Sequence, residues 1–125
     1  MKKSLNYQNL NFVGLGGNGT SDVSGFDFLH LDVQLTETNS TLIVELLDFG
    51  ADQSINGNDN TSGGATVTSQ LVEGTWVGID IPVNGFTQTT GGGGAGSPNL
   101  NNIGAVTLVS NSGSIFVDNI YFYKQ

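Results

Sequence analysis

The 125-residue chain has no cysteine and no arginine, and its three lysines, Lys2, Lys3 and Lys124, stand at its two ends. Residues 4–123 therefore hold no permanently positive side chain. Nucleic-acid binding rests on neutralising phosphates with Lys and Arg, so that class is excluded. Phosphoryl transfer, which needs a resident cation to hold the transferring group, falls with it. The lack of cysteine removes disulfides, thiol nucleophiles and thiolate metal ligation. No stretch approaches the roughly 20 apolar residues that cross a bilayer as a helix. The basic start Met1-Lys2-Lys3 leads into no apolar run, so no intact signal peptide is read there. Sustained 3.6-residue periodicity is also missing, which argues against amphipathic helices.

What is present points to strands. Glycine contributes 19 residues, about twice its ordinary share, and Asn, Thr and Ser are abundant. Such a chain is poor in helix formers and rich in turn formers, so an all-β domain over residues 1–125 is expected. Three lysines against eleven acidic residues give 3 − 11 = −8. This polar, cysteine-free, cation-poor composition suits an extracellular, secreted protein. Three Asn-x-Ser/Thr sequons, at Asn18, Asn39 and Asn60, are no more than chance supplies in so polar a chain.

Period-two alternation recurs along the chain. Leu5 to Val13 reads as a first strand and Gly14 to Gly25 as a turn-rich loop. Phe28 to Leu35 alternates cleanly, with Leu29, Leu31, Val33 and Leu35 on one face and His30, Asp32 and Gln34 on the other. Thr41 to Leu47 repeats the pattern, placing Glu45 outward. Asp48 to Gly64 reads as a polar loop. Ala65 to Val72 and Thr75 to Val83 read as a hairpin around Glu73-Gly74, whose second arm turns Trp76 and Asp80 outward. A glycine run, Gly91 to Gly96 with Ser97-Pro98, forms a flexible loop. Ile103 to Ser110 and Ser114 to Tyr123 form a last hairpin across Asn111-Ser112-Gly113. The last strand changes phase, since Ile115 and Val117 differ in parity from Ile120 and Phe122. One extra residue at Asp118-Asn119, a β-bulge, would bring both pairs into the core. Seven short antiparallel strands with long loops predict a two-sheet sandwich of jelly-roll type.

Three segments carry a family resemblance: Leu46-Leu47-Asp48-Phe49-Gly50-Ala51-Asp52, then Gly74-Thr75-Trp76 through Pro82-Val83, then Ile115-Phe116-Val117-Asp118-Asn119-Ile120-Tyr121-Phe122-Tyr123. With the Asp22-Val23-Ser24-Gly25 turn before Phe28, they resemble the non-catalytic jelly-roll domains attached to secreted bacterial glycoside hydrolases, notably laminarinase-like and agarase-like enzymes of marine bacteria. The resemblance implies a galactose-binding-like β-sandwich that binds polysaccharide. It also implies that Asp118 holds a structural calcium, with backbone carbonyls near the first strand. Domains of this kind carry one or more strands before the equivalent of Leu5. The resemblance thus implies a sheet edge open to a strand-donating partner or a second copy.

Several residues carry candidate chemistry. Trp76 either stacks on a sugar ring or caps the edge of the sandwich. His30, Asp32, Gln34, Glu45 and Asp80 offer planar amides and carboxylates that bind sugar hydroxyls, or form a solvated face. Tyr121 and Tyr123, opposite in phase to Phe122, are expected on the surface, and Tyr7 lines a face or the terminal edge. Asp48, Asp52 and Asp59, with Asn56 and Asn58, supply the oxygens that Ca²⁺ takes, or cap a bland loop. Gly14-Leu15-Gly16-Gly17-Asn18-Gly19 matches the dinucleotide pattern only nominally, because no helix follows to receive a pyrophosphate. The leading functional expectation is a non-enzymatic module that brings an attached or partner enzyme to neutral glycans. The alternative is a self-assembling extracellular subunit that builds a fibre or surface layer through its open edge. A weaker third reading makes Asp32 and Glu45 a glycosidase pair.

Overall fold

The computed structural model describes residues 5–7, 12–37, 41–55, 59–89, 97–110 and 114–125. The glycine run at 91–96, the turn at 111–113, Asn39, Asn56, Asn58 and the side chain of Tyr7 lie outside the described residues. Eight strands form: β1 (Leu5–Tyr7), β2 (Phe12–Ser21), β3 (Phe28–Leu35), β4 (Leu42–Asp48), β5 (Thr61–Thr66), β6 (Val77–Pro82), β7 (Ile103–Ser110) and β8 (Ile115–Tyr123). They make two four-stranded sheets, ordered β1-β8-β3-β6 and β2-β7-β4-β5, and every pairing is antiparallel. Consecutive strands alternate between sheets, except that β4 and β5 are neighbours. This is the all-β, two-sheet jelly-roll sandwich expected from the strand pattern.

Alternation builds the core. Leu29, Leu31 and Val33 of β3, Leu42, Val44 and Leu46 of β4 and Ile79 of β6 are completely buried, with Leu108, Ile115 and Val117 from the last two strands. Each such side chain contributes about 1.5–3 kcal/mol on leaving water. The bulge in β8 is present. The β3–β8 register shifts between His30 and Asp32, which pair with Tyr121 and Asp118, so Asn119 and Ile120 together oppose Leu31. Asn119 takes φ +50°, a left-handed conformation that asparagine tolerates better than most residues. Beyond the bulge Ile120 and Phe122 turn inward against the core, so Tyr121 and Tyr123 turn outward.

Four sequence expectations are corrected. Leu5 to Val13 is not one strand, because β1 and the start of β2 belong to different sheets. Gly14 to Ser21 is strand rather than loop. Its glycines show no alternation, but the ladder to β7 supplies the pairing that the side chains do not announce. The two expected hairpins do not form either: β5 spans 61–66, not 65–72, and it lies in the sheet opposite β6, as β7 lies opposite β8. In each case the two strands lie in opposite sheets instead of pairing within one. The glycine pattern at 14–19 falls inside β2, with no helix behind it.

Three of the four sheet edges, all but the ten-residue β2, are short or obstructed. β1 has three residues, and β6 carries Asp80 and ends at Pro82, which has no N–H to offer. At the edge of β5, Gly64 and Gln88 exchange both backbone hydrogen bonds, at 2.8 and 2.9 Å.

Candidate functional site

The outer face of the β1-β8-β3-β6 sheet collects most of the polar and aromatic residues singled out in the sequence. Register aligns them in rows across β8, β3 and β6. Tyr123, Phe28 and Pro82 form the first row, Tyr121, His30 and Asp80 the second, and Asp118, Asp32 and Gly78 the third. Phe116 and Gln34 form the fourth, which Trp76 completes just before β6. Rows lie two residues apart, about 7 Å.

Aromatic rings stand at both ends. Tyr123 stacks on Phe28 at 5.3 Å between centroids, and Tyr121 stacks on His30 at 4.9 Å. At the far end Trp76 meets Phe116 at 6.4 Å. Trp76 is 45% exposed and Tyr121 50%, so both present ring surface to solvent. The third row, by contrast, has only Asp118, Asp32 and a glycine, and makes a band of short side chains between taller ones. A Cβ at Gly78 would stand 3.3 Å from both Asp32 Oδ1 and the His30 ring.

The polar centre is tightly ordered. His30 Nδ1 lies 2.7 Å from Asp80 Oδ1, and Nε2 lies 3.1 Å from Asp32 Oδ1. The Asn119 side-chain amide donates to Asp32 Oδ2, so the bulge residue fixes the carboxylate opposite it. Asp118 Oδ1 accepts from the Asn119 backbone N–H at 2.7 Å. Gln34 donates to the Gly74 carbonyl at 2.7 Å, tying β3 to the turn that carries Trp76. Partial burial is the largest influence on His30 and pushes its pKa down. The hydrogen bonds and charges of Asp80 and Asp32 together outweigh it and hold the imidazole above its ordinary value. Tyr123 is raised by desolvation and then by Asp80 beside its hydroxyl.

Glu45 is not on this face. β3 and β4 belong to different sheets, so the outward side of β4 is the far side of the sandwich. There Glu45 is 2% exposed, and its Oε1 accepts from the Thr107 hydroxyl at 2.9 Å. Packed sheets lie about 10 Å apart and these two carboxylates point away from each other, farther than either glycosidase geometry permits. The Asp32–Glu45 catalytic pair is thereby removed.

The two candidate metal sites lie in different parts of the sandwich. Asp118 lies on the outer face just described, whereas Asp48, Asp52 and Asp59 lie at the β4–β5 connection. Asp48 is buried and accepts from the Gly50 N–H at 2.8 Å and the Thr61 hydroxyl at 2.7 Å. Asp59 accepts from the Ala51 N–H, and Asp52 from the Ser54 N–H. Among the described residues, no three His, Asp or Glu side chains converge to hold a metal ion. Asp48→Ala would strand one buried and one half-buried donor and is expected to lower stability by about 2–4 kcal/mol. Asp48→Asn, which keeps an acceptor, should lose less; urea unfolding of the two variants checks this.

Sequence reasoning turned Gly78 outward with Trp76 and Asp80 but missed Asn119, Phe116 and Phe28 as members of the face. Asn119 was legible only as the bulge, and its amide's reach to Asp32 depends on the register between β8 and β3.

No family model matches the sequence, and no curated protein matches it. Among solved structures the chain is similar to a family 11 carbohydrate-binding module from Clostridium thermocellum in complex with a beta-1,3-1,4-mixed-linked tetrasaccharide. The TM-score is 0.68 at 20% identity, over 97% of this chain and 74% of that one. It is also similar to the family 11 module of the cellulosomal cellulase Lic26A-Cel5E of the same organism, with TM-score 0.65 and 18% identity over 98% and 74% of the two chains. The fold is that of the jelly-roll carbohydrate-binding modules. At such identities the likeness is one of architecture, and the chemistry of the face has to be argued from its own residues.

Proposed function

We propose that this protein is a non-catalytic carbohydrate-binding module that holds a neutral polysaccharide across the outer face of the β1-β8-β3-β6 sheet. The observation that carries the reading is the row order. Exposed rings at Tyr121 and Trp76 bracket a band of carboxylates and amides, the pairing of stacking surface and hydroxyl acceptors that a sugar chain requires. Trp76, His30, Asp32, Gln34, Asp80 and Tyr121 do this work, and Glu45 is left out. With Asp32, Asp80 and Asp118 on the face and no Lys or Arg anywhere in residues 4–123, uronate-rich and sulfated glycans would be repelled.

Binding without chemistry makes sense as delivery: an attached or partner enzyme in the extracellular space would gain local concentration at its substrate. The solved relative bound to a mixed-linked tetrasaccharide recommends soluble β-1,3-1,4-glucan as the first ligand to try. The self-assembly alternative needs an inviting edge. On the proposed binding sheet the three-residue β1 and the Asp80–Pro82 stretch of β6 offer little of one; the ten-residue edge strand β2 of the other sheet is where such an assembly would have to form.

Affinity electrophoresis against mixed-linked β-glucan, laminarin, agarose, alginate and carrageenan tests the proposal. Retardation by at least one neutral glycan, with none by alginate or carrageenan, is the expected result. No retardation by any of the five would end the reading.

A further inference from the structure

His30 is the only histidine in the chain, and both of its ring nitrogens face carboxylate oxygens, at 2.7 Å on Asp80 and 3.1 Å on Asp32. A neutral imidazole has one N–H and one lone pair, so it can serve only one of these acceptors. The cation has two N–H groups and serves both. A doubly donating imidazolium satisfies both distances and clasps Asp32 of β3 to Asp80 of the neighbouring edge strand β6.

We propose that this clasp regulates glycan uptake: the cationic ring occupies the site's acceptors, and loss of its proton to solvent opens one of them to a ligand hydroxyl. The inference rests on the reading of this face as the glycan site and adds a proton to it.

The chemistry follows from what holds each partner. When the ring loses a proton, the shorter bond, Nδ1–H to Asp80, is the one to keep. The Nε2 lone pair is then opposed to Asp32 Oδ1, which the Asn119 amide holds in place through the other carboxylate oxygen. The Tyr121 ring, stacked at 4.9 Å, keeps the imidazole plane from turning away. The lone pair and the carboxylate oxygen then face each other where the cation had placed its N–H. A sugar hydroxyl supplies the donor, giving its O–H to the carboxylate. In the cationic state Nε2–H already fills that position, and the ligand must compete with it.

Every titratable group around the ring agrees in sign. Asp32 lies on the same strand, Asp80 on β6, and Tyr121, Tyr123 and Asp118 on β8, with the Tyr123 hydroxyl beside Asp80. None of these strands bears Lys or Arg. Because the two carboxylates outweigh burial and raise the imidazole's pKa, the cationic clasp persists above the pH at which a free histidine would have let go. The clasp stabilises the fold fully below the unfolded value of about 6.5 and ceases to do so as pH rises through the folded one. Linkage requires the reciprocal effect: if proton loss favours the glycan, bound glycan lowers the ring's pKa and binding releases a proton.

The single histidine makes the test direct. NMR titration of the His30 ring in the free protein should show a pKa above the ordinary value, falling in Asp80→Asn. Calorimetry with the β-1,3-1,4 mixed-linked tetrasaccharide at about pH 5.5 and about pH 8, the range in which histidine switches, should show about fivefold or more tighter binding at the higher pH, the low end of coupling between linked sites. His30→Gln, which keeps a donor and an acceptor, should bind with equal affinity at both. A free-protein pKa at or below the ordinary value overturns the proposal whatever the sugar does. So does tetrasaccharide binding of unchanged affinity at the two pH values, which leaves the glycan reading standing. Failure of every neutral glycan to bind at either pH overturns the glycan reading and the regulation with it.

Discussion

Adding one methyl group at Gly63 is expected to lower the stability of the protein by about 3 kcal/mol, the upper end of what overpacking costs. Gly63 lies in β5 opposite Leu46, where the chain comes back across the sandwich. A Cβ there would fall on the carbonyl oxygen of Phe86 and stand 2.8 Å from the Pro98 ring. A flexible side chain could swing aside, but a carbonyl cannot move without its backbone. The Phe86 side chain is buried in the core, and two residues later Gln88 exchanges both backbone hydrogen bonds with Gly64. Relief of the clash would therefore break the pairing that covers this sheet edge. Gly25→Ala is the control, because a Cβ at Gly25 meets nothing within 4 Å, and its cost should stay within about 0.5 kcal/mol. Equal urea midpoints for Gly63→Ala and Gly25→Ala would contradict this account.

The same glycines show where the sequence stops being readable. β3 and β6 were legible because each buries one face, and burial imposes a period of two on side-chain type. In β5, Thr61-Ser62-Gly63-Gly64-Ala65-Thr66, small residues stand where the Phe86–Gln88 segment presses close, and the space reserved for it looks like a loop in the sequence. β2 is hidden for a related reason, since its glycines carry no hydrophobic alternation and its identity comes from its ladder to β7. The false hairpins have another origin. Neighbours in sequence are the default neighbours in a sheet, and a jelly roll sends most successive strands to opposite sheets. That default also set Glu45 beside Asp32, when the width of the sandwich separates them.

The bulge was the most informative feature available from sequence, because a phase break inside an otherwise alternating strand has few other causes. From it follow the inward turn of Ile120 and Phe122 and the outward turn of Tyr121 and Tyr123. What could not follow was the partner across the ladder. That His30 meets Tyr121, and that Asn119 reaches Asp32, depend on which residue of β8 sits opposite which residue of β3.

Those pairings set the largest expected effect on binding. Trp76→Ala and Tyr121→Ala should each weaken mixed-linked β-glucan binding by about 30-fold, roughly the 2 kcal/mol lost when an aromatic anchor is truncated. Each ring is half exposed in the free protein, so it has uncovered area to lose to a ligand, and neither belongs to the fully buried core. Their rows are four residues apart along β3, about 14 Å, and a ligand that engages both must span the polar band between them. Effects at that separation should add, and the double variant should lose nearly all measurable affinity for a long chain. A short oligosaccharide lying at one end would respond to only one of the two substitutions. Sensitivity to both that appears only as the ligand lengthens would mark a chain laid along the strand direction from one aromatic end to the other. Equal sensitivity to both in a disaccharide is incompatible with that orientation. Unchanged melting temperatures in the single variants would assign the losses to the ligand rather than to the sandwich beneath it.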